Sequence, residues 1–345
     1  MKYQIARQSA AMTLSVLVTA LAAERATGSS LVDRINQAEF SKIGSIIRED
    51  ARVRDDGTDG PSPLIVRAQI ALDRAGFSVG VIDGYKGENT GKAVSAFQQV
   101  QGLEADGELD EETWEALRGH AESAVTVYSL TGEDLSTPID GPIPEDYEQM
   151  AEMDRLGYTS VRELIAERFH MDEDLLVYLN PDAEFAAAGE QIVVADPRAD
   201  IDTPIVRSIE VDGSAGFLRA LDGQGELVVS YPATVGSREN PSPTGTHKVK
   251  AIAPDPTYSY RPDVNFTQGD NTEPLTLPPG PNGPVGSIWI DLTEPTYGIH
   301  GTPEPAKIDK TASHGCVRLA NWDAEELARL VEPGTVVTFV ESGRP

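Results

Sequence analysis

One cysteine, Cys316, in 345 residues leaves no intramolecular disulfide to hold the chain together. Positive charge is also scarce: 28 Lys and Arg stand against 56 Asp and Glu, a formal net charge of −28. Nucleic-acid binding leaves a basic patch as its footprint and none is visible, so no nucleic-acid partner is expected. The acidity reads as a strongly hydrated surface. Long apolar runs are missing except at the N-terminus, where Lys2 and Arg7 precede "AAMTLSVLVTALAA". That run is short for a bilayer, where an anchor needs more, and it ends in the small-residue pattern Ala20-Leu21-Ala22. Residues 1–23 therefore read as a signal peptide cleaved after Ala22 or Ala23. No cysteine stands there to take a lipid, and no later stretch has membrane length. The mature chain is expected in the periplasm or cell wall, without a membrane span. An exported chain with an odd cysteine carries either an intermolecular bridge or a reactive thiol.

The length predicts two or three domains. Residues 24–60 are expected to be a flexible linker, because "REDARVRDDGTDGPSP" (48–63) mixes charge, Gly and Pro without an apolar period. A compact unit over 61–120 follows. Ile65, Ala68, Leu72 and Ala75 keep helical spacing, as do Ala93, Phe97 and Val100, and Asp110 opens a third helix in "LDEETWEAL". Asp83-Gly84 and Asp106-Gly107 mark turns. This three-helix module, with its "AVSAFQ" helix and "ADG…T-W-x-x-L" ending, resembles the peptidoglycan-binding type 1 family, which implies peptidoglycan as a partner. It departs in "GYKGENT", where the family more often has an aromatic and then Gly-Pro-x-Thr.

Residues 121–197 read as an α+β connector. Val125 and Val127 alternate as in a strand, Ser160 with Glu163 forms a capping box, Leu175, Leu176 and Leu179 mark a helix stopped by Asn180-Pro181, and "QIVV" closes with a strand. The strand-helix-helix-strand order is similar to the LysM family of glycan-binding modules, interrupted by about thirty residues (131–159) after the first strand. "ADPRADIDTP" (195–204) is a second linker. From 204 to 342, short β-rich runs alternate with Gly, Pro and Asp turns, predicting a mainly-β sandwich with one late helix in "DAEELARLV" that opens on Asp323 and Glu326. The fold class is thus multidomain: a small three-helix module, an α+β connector and a C-terminal mainly-β domain.

Cys316 lies in "YGIHGTPEPAKIDKTASHGCVRL", sixteen residues after His300 and two after His314. On an extended backbone His314 points to the same side as the sulfur. An unperturbed thiol is only a few per cent thiolate at neutral pH, so a nucleophilic cysteine needs an imidazole or a positive field beside it. His300 can take the proton and return it to a leaving amine. Gly315 lets a carbonyl approach the backbone N–H groups beside Cys316, as an oxyanion requires. Arg318 offers a planar cationic fork for a carboxylate. A zinc site from His300, His314 and Cys316 has suitable ligand types but lacks paired spacing and a fourth ligand. An inert or chain-bridging cysteine is the other alternative. His120, His170 and His247 have no such neighbours and read as structural.

The strings "IHGT…SHGCVRL", "PSPTGTHKV" and "LPPGPNGPVGSIWIDL" resemble the L,D-transpeptidase catalytic domain of the YkuD-like family. The resemblance implies that Cys316 attacks the third residue of a peptidoglycan tetrapeptide stem and expels D-alanine, and that an amine on a second stem resolves the acyl-enzyme into a 3→3 cross-link. It also implies that His300 is the base, oriented by the carbonyl of Gly301. Ser313, His314 and Gly315 would shape the oxyanion and substrate side, with Arg318 and Asn282 as substrate contacts. No metal or organic cofactor is implied. Gly283, where the family often has Asn, and His247, where it usually has an aromatic or aliphatic residue, bear on substrate preference. Two alternatives stay open: water as acceptor, giving an L,D-carboxypeptidase or endopeptidase, and a noncatalytic wall-binding scaffold.

Overall fold

A computed structural model describes residues 31–40, 60–197, 199, 205–236, 241–264, 266–311, 313 and 315–340. The expected signal peptide, and His314 among the site residues, lie outside the described residues.

A short helix, α1 (residues 31–36), is followed by α2 (Pro63–Arg74), α3 (Glu88–Gln101) and α4 (Glu111–Leu117). Each of the last three starts and stops for local reasons. Ser62 caps α2 by accepting from the Ile65 N–H, with Pro63 ideally placed in the first turn. Gly102, at φ +71°, ends α3 in the left-handed region, and Asp110 caps α4 through the Thr113 N–H at 2.8 Å.

The expected linker over 24–60 is not free throughout. Ile35 is buried in the core of the helical module. The buried Arg67 donates to Ala38 O at 2.5 Å and Glu39 at 3.0 Å, and Trp114 Nε1 donates to Glu39 at 2.8 Å. Leu31, Val32 and Ile35 carry the helical spacing that pays for this docking, inside a stretch whose composition otherwise reads as linker.

The connector consists of β1 (Val125–Ser129), α5 (Gly132–Ser136), α6 (Tyr147–Ala151), α7 (Val161–Arg168), α8 (Glu173–Leu179) and β2 (Gln191–Ala195), with β1 and β2 antiparallel. Its order is the expected strand-helix-helix-strand, with α5 and α6 in the intervening 131–159 segment. It does not form a core of its own. Ile35, Leu64, Ile70, Phe97, Trp114, Val125, Ile165, Leu176 and Val194 belong to one continuous hydrophobic cluster spanning module and connector. Both pieces are small, and sharing a core enlarges the apolar interior that each contributes to. The expected capping box is half formed: Ser160 caps α7, but Glu163 takes the Thr159 N–H at 2.6 Å, because its other oxygen is held by Asn282.

The C-terminal domain has β3 (Ser208–Asp212), β4 (Phe217–Leu221), β5 (Leu227–Pro232), β6 (Gly245–Pro254), β7 (Tyr258–Tyr260), β8 (Leu275–Leu277), β9 (Ile288–Leu292), β10 (Gly298–His300), β11 (Val317–Arg318), α9 (Asn321–Leu330) and β12 (Val336–Val340). The sandwich is one curled sheet in the order β11-β10-β9-β6-β12-β3-β4-β5. The long β6 pairs with β12 up to Lys248 and with β9 from Val249, with a register shift in the β9 pairing between Val249 and Ala251, and such an irregularity bends a strand from one layer into the next. The curl brings its ends together: Thr234, just past β5, exchanges two 2.9 Å hydrogen bonds with Arg318 on β11. The separate β7–β8 hairpin stands beside the sheet. Helix α9 starts at Asn321, earlier than the Asp323–Glu326 pattern implies. Asp323 is therefore inside the helix, buried, accepting from Ser78 Oγ at 3.1 Å.

The helical module docks on the sheet edge. Ser78 N–H donates to Ser230 O at 2.9 Å and Ser230 N–H to Gly76 O at 2.8 Å, extending β5 by a backbone pair. Asn89 donates to Ile308 O at 3.2 Å, and Lys92 pairs with Asp309.

Candidate active site

Strand pairing builds the site. β10 runs parallel to β11 with Ile299 opposite Val317 and His300 opposite Arg318. Ile299 and Val317 are fully buried in the core, so strand alternation puts His300, Cys316 and Arg318 together on the other face. There they line one cavity of about 450 Å³ with Ser313, Trp289 and Tyr258.

His300 is buried, and its Nδ1 donates to the carbonyl of Gly301 at 2.7 Å, leaving Nε2 as the acceptor. The Trp289 ring, opposite it on β9, stacks on the imidazole at 5.5 Å between centroids. Burial, helped by the Arg318 charge, pushes the imidazole pKa down to about 3, so the ring is neutral at working pH. Burial also raises the Cys316 thiol above its ordinary value, against the opposing pull of Gly298 and Arg318. Thiol and imidazole are thus both neutral at rest, so the imidazole supplies a proton acceptor and not a positive field. The thiol donates to Thr296 O at 3.7 Å, and Thr296 itself sits at φ +72°.

Gly315 has φ +109°, and a Cβ there would lie 2.7 Å from the Tyr297 ring. Only glycine fits both conditions without strain. Its N–H donates to Ser313 Oγ at 3.1 Å, while Ser313 Oγ donates to Cys316 O at 2.6 Å. Ser313 thereby shapes the turn before the sulfur, and the Gly315 N–H is already engaged. Arg318 makes no ion pair among the described residues, and its Nε is buried without an acceptor.

Asn282 does not line this cavity. Its amide donates to Gly157 O at 3.0 Å and Glu163 at 2.6 Å, tying the 278–286 loop to the connector, so the expectation of a substrate contact there is corrected. His247 bonds Thr244 O and packs on Phe339, and His170 stacks on Trp322, both away from the sulfur.

Sequence reasoning missed Trp289, Tyr147, Tyr258 and Asn321. Trp289 could have been found from the alternation in "IWIDL". Asn321 accepts from the Thr302 N–H at 3.0 Å and donates to both oxygens of the buried Glu167 at 3.1 Å, linking the segment after His300 to α7.

Residues 206–339 match the YkuD family, described as the L,D-transpeptidase catalytic domain, and residues 61–117 match a putative peptidoglycan binding domain. A putative L,D-transpeptidase YkuD of Bacillus licheniformis is 29% identical over 179 residues, which cover 51% of this chain and 92% of the relative. Among solved structures, an L,D-transpeptidase from Mycobacterium smegmatis is 19% identical, with 45% of this chain and 64% of that chain covered at a TM-score of 0.33. The L,D-transpeptidase of Xylanimonas cellulosilytica is 18% identical, with 81% and 95% covered at a TM-score of 0.37.

Proposed function

With a YkuD-type L,D-transpeptidase catalytic domain at 206–339 and a peptidoglycan-binding domain preceding it, we propose that this chain is an exported, wall-associated enzyme that forms 3→3 peptidoglycan cross-links by cysteine acyl transfer. The observation that carries the reading is the β10–β11 register, which sets His300, Cys316 and Arg318 on one face of one cavity.

The neutral pair defines the order of proton movements. Cys316 Sγ forms a bond to the carbonyl carbon of the third stem residue as its proton passes to His300 Nε2. With the Gly315 N–H held by Ser313 Oγ, the oxyanion is received by the Cys316 N–H. As the C–N bond breaks, His300 returns the proton to the departing D-alanine amine. The amine of a second stem then attacks the thioester, loses its proton to His300, and the thiol is regenerated with that proton. The carbonyl of Gly301 keeps the imidazole in the tautomer that both halves need.

Mass spectrometry of purified tetrapeptide muropeptides incubated with wild type and Cys316→Ala tests this. Dimers with released D-alanine in the wild type alone support transfer. Tripeptide without dimers assigns water as the acceptor, and no change with either protein rejects the enzyme reading in favour of a wall-binding scaffold.

A further inference from the structure

The 131–159 segment interrupts the connector, yet it packs on the catalytic domain. Leu156 is fully buried against Tyr260 and Leu277, with Ile143, Tyr147 and Met150 around them. Backbone bonds lock the contact: Leu156 N–H to Pro279 O at 2.9 Å, and Asn282 N–H to Leu156 O at 3.0 Å. Gly280 permits it, since a Cβ there would stand 2.0 Å from Leu156 O. Gln268 holds the start of α6 from the other side, accepting from the Tyr147 N–H at 3.2 Å and donating to Glu145 O at 2.9 Å.

This cap delivers Tyr147 into the cavity of Cys316. Its ring is fixed edge-on against Tyr260 at 5.2 Å and against Tyr258 and Phe266 at 6.1 Å. Its hydroxyl has no hydrogen-bond partner among the described residues, and burial pushes its pKa up to about 12, so it stays a donor. It shares the cavity with Arg318, which has no ion-pair partner among the described residues. A half-buried guanidinium whose Nε has no acceptor and a phenol that donates to no described residue line the same cavity, and together they suit an anion. Arg318 stands two residues beyond Cys316, roughly 6–7 Å along the strand. In a peptide, the carboxylate of the residue after the attacked carbonyl lies about 4–5 Å from that carbon, within reach of such a fork.

We propose that Tyr147, presented by the cap, joins Arg318 in receiving the terminal carboxylate of the donor peptide, so that the substrate site is completed by a segment outside the catalytic domain. The identity of the donor rests on the proposed function, but the receptor is tested by binding, without turnover. In the full chain carrying Cys316→Ala, the affinity for a tetrapeptide stem is compared with that for its C-terminal amide, with and without Tyr147→Phe. The Phe variant keeps the ring packing and removes only the hydroxyl. Its expected effect is a loss of roughly 10–50-fold for the free acid and less than about twofold for the amide. Equal losses on both donors would make Tyr147 a packing residue only, and no loss on either would remove it from the site. Both results overturn the proposal. Failure of the transferase reading shows differently, as unchanged muropeptides with Cys316 intact while the acid-over-amide preference in binding persists.

Discussion

Glu167 offers a test of how the connector and catalytic domain are coupled. It is 9% exposed on α7, and both its oxygens accept from Asn321, whose own oxygen serves the Thr302 N–H next to the His300 loop. Burial raises its carboxyl pKa from 4.5 to about 8, with the Asn321 hydrogen bond opposing and Glu163 and Glu325 adding to the rise. The unfolded chain releases this proton near 4.5 while the fold retains it until about 8. Stability is therefore full below the lower value and is lost as pH rises toward the higher one. Linkage at about 1.4 kcal/mol per pH unit gives a loss of about 3 kcal/mol between about pH 5 and 7.5. Glu167→Gln keeps a neutral side chain that can accept from Asn321 and cannot ionise. Denaturant unfolding of both proteins across this range should show the variant gaining about 3 kcal/mol on wild type as pH rises. Contributions of His300 and Asp323 are common to both and cancel. Parallel stability curves would refute the assignment of a protonated carboxyl at this junction.

Three further outcomes follow from the site. Because burial holds the Cys316 thiol above its ordinary value, alkylation by iodoacetamide should accelerate about tenfold per pH unit through pH 8 without a plateau; a plateau near neutrality would mean a preformed thiolate. Gly315→Ala places a Cβ at φ +109° and against the Tyr297 ring, and should cost about 1–3 kcal/mol in unfolding measurements and slow alkylation; an unchanged protein would contradict the tight turn. Lys92→Ala removes the pairing with Asp309 between module and catalytic domain, and should lower stability by about 1–2 kcal/mol and speed proteolysis between the two; neither change would indicate that the docking does not depend on this contact.

The reactive part of the site was legible because it is local. His300, Ser313, Gly315, Cys316 and Arg318 lie within nineteen positions, and each residue type has a chemical reason to stand near a thiol. What the string did not disclose was the protonation state, since burial of both groups is set by the folded site, including the Trp289 ring stacked on His300, and not by local spacing. Tyr147 was illegible for a related reason: α6 has only five residues and no buried face of its own, so periodicity is silent there. Asn282 misled because its neighbourhood matches a family string while its amide is spent on Glu163. Residues 31–40 are the opposite case. Leu31, Val32 and Ile35 held a helical signal, and the charge and Gly/Pro content farther along the stretch masked it.

The departure in "GYKGENT" acquires a reason from the same contacts. Asn89, inside it, and Lys92, just after it, are the residues that bond Ile308 and Asp309, in the loop leading to Ser313 and Cys316. A module that swung on a flexible tether would raise local substrate concentration without regard to direction. This one is held by a backbone pair at Ser230, a shared hydrophobic core with the connector, and the Glu167–Asn321 link to α9. Its loop chemistry has thus been given over to docking. The proposed wall-binding surface then has a fixed orientation toward the cavity, and the same packing that sets this orientation holds the cap that carries Tyr147. Loosening the module should therefore be felt first as weaker recognition of the donor, before any change in the intrinsic reactivity of the thiol.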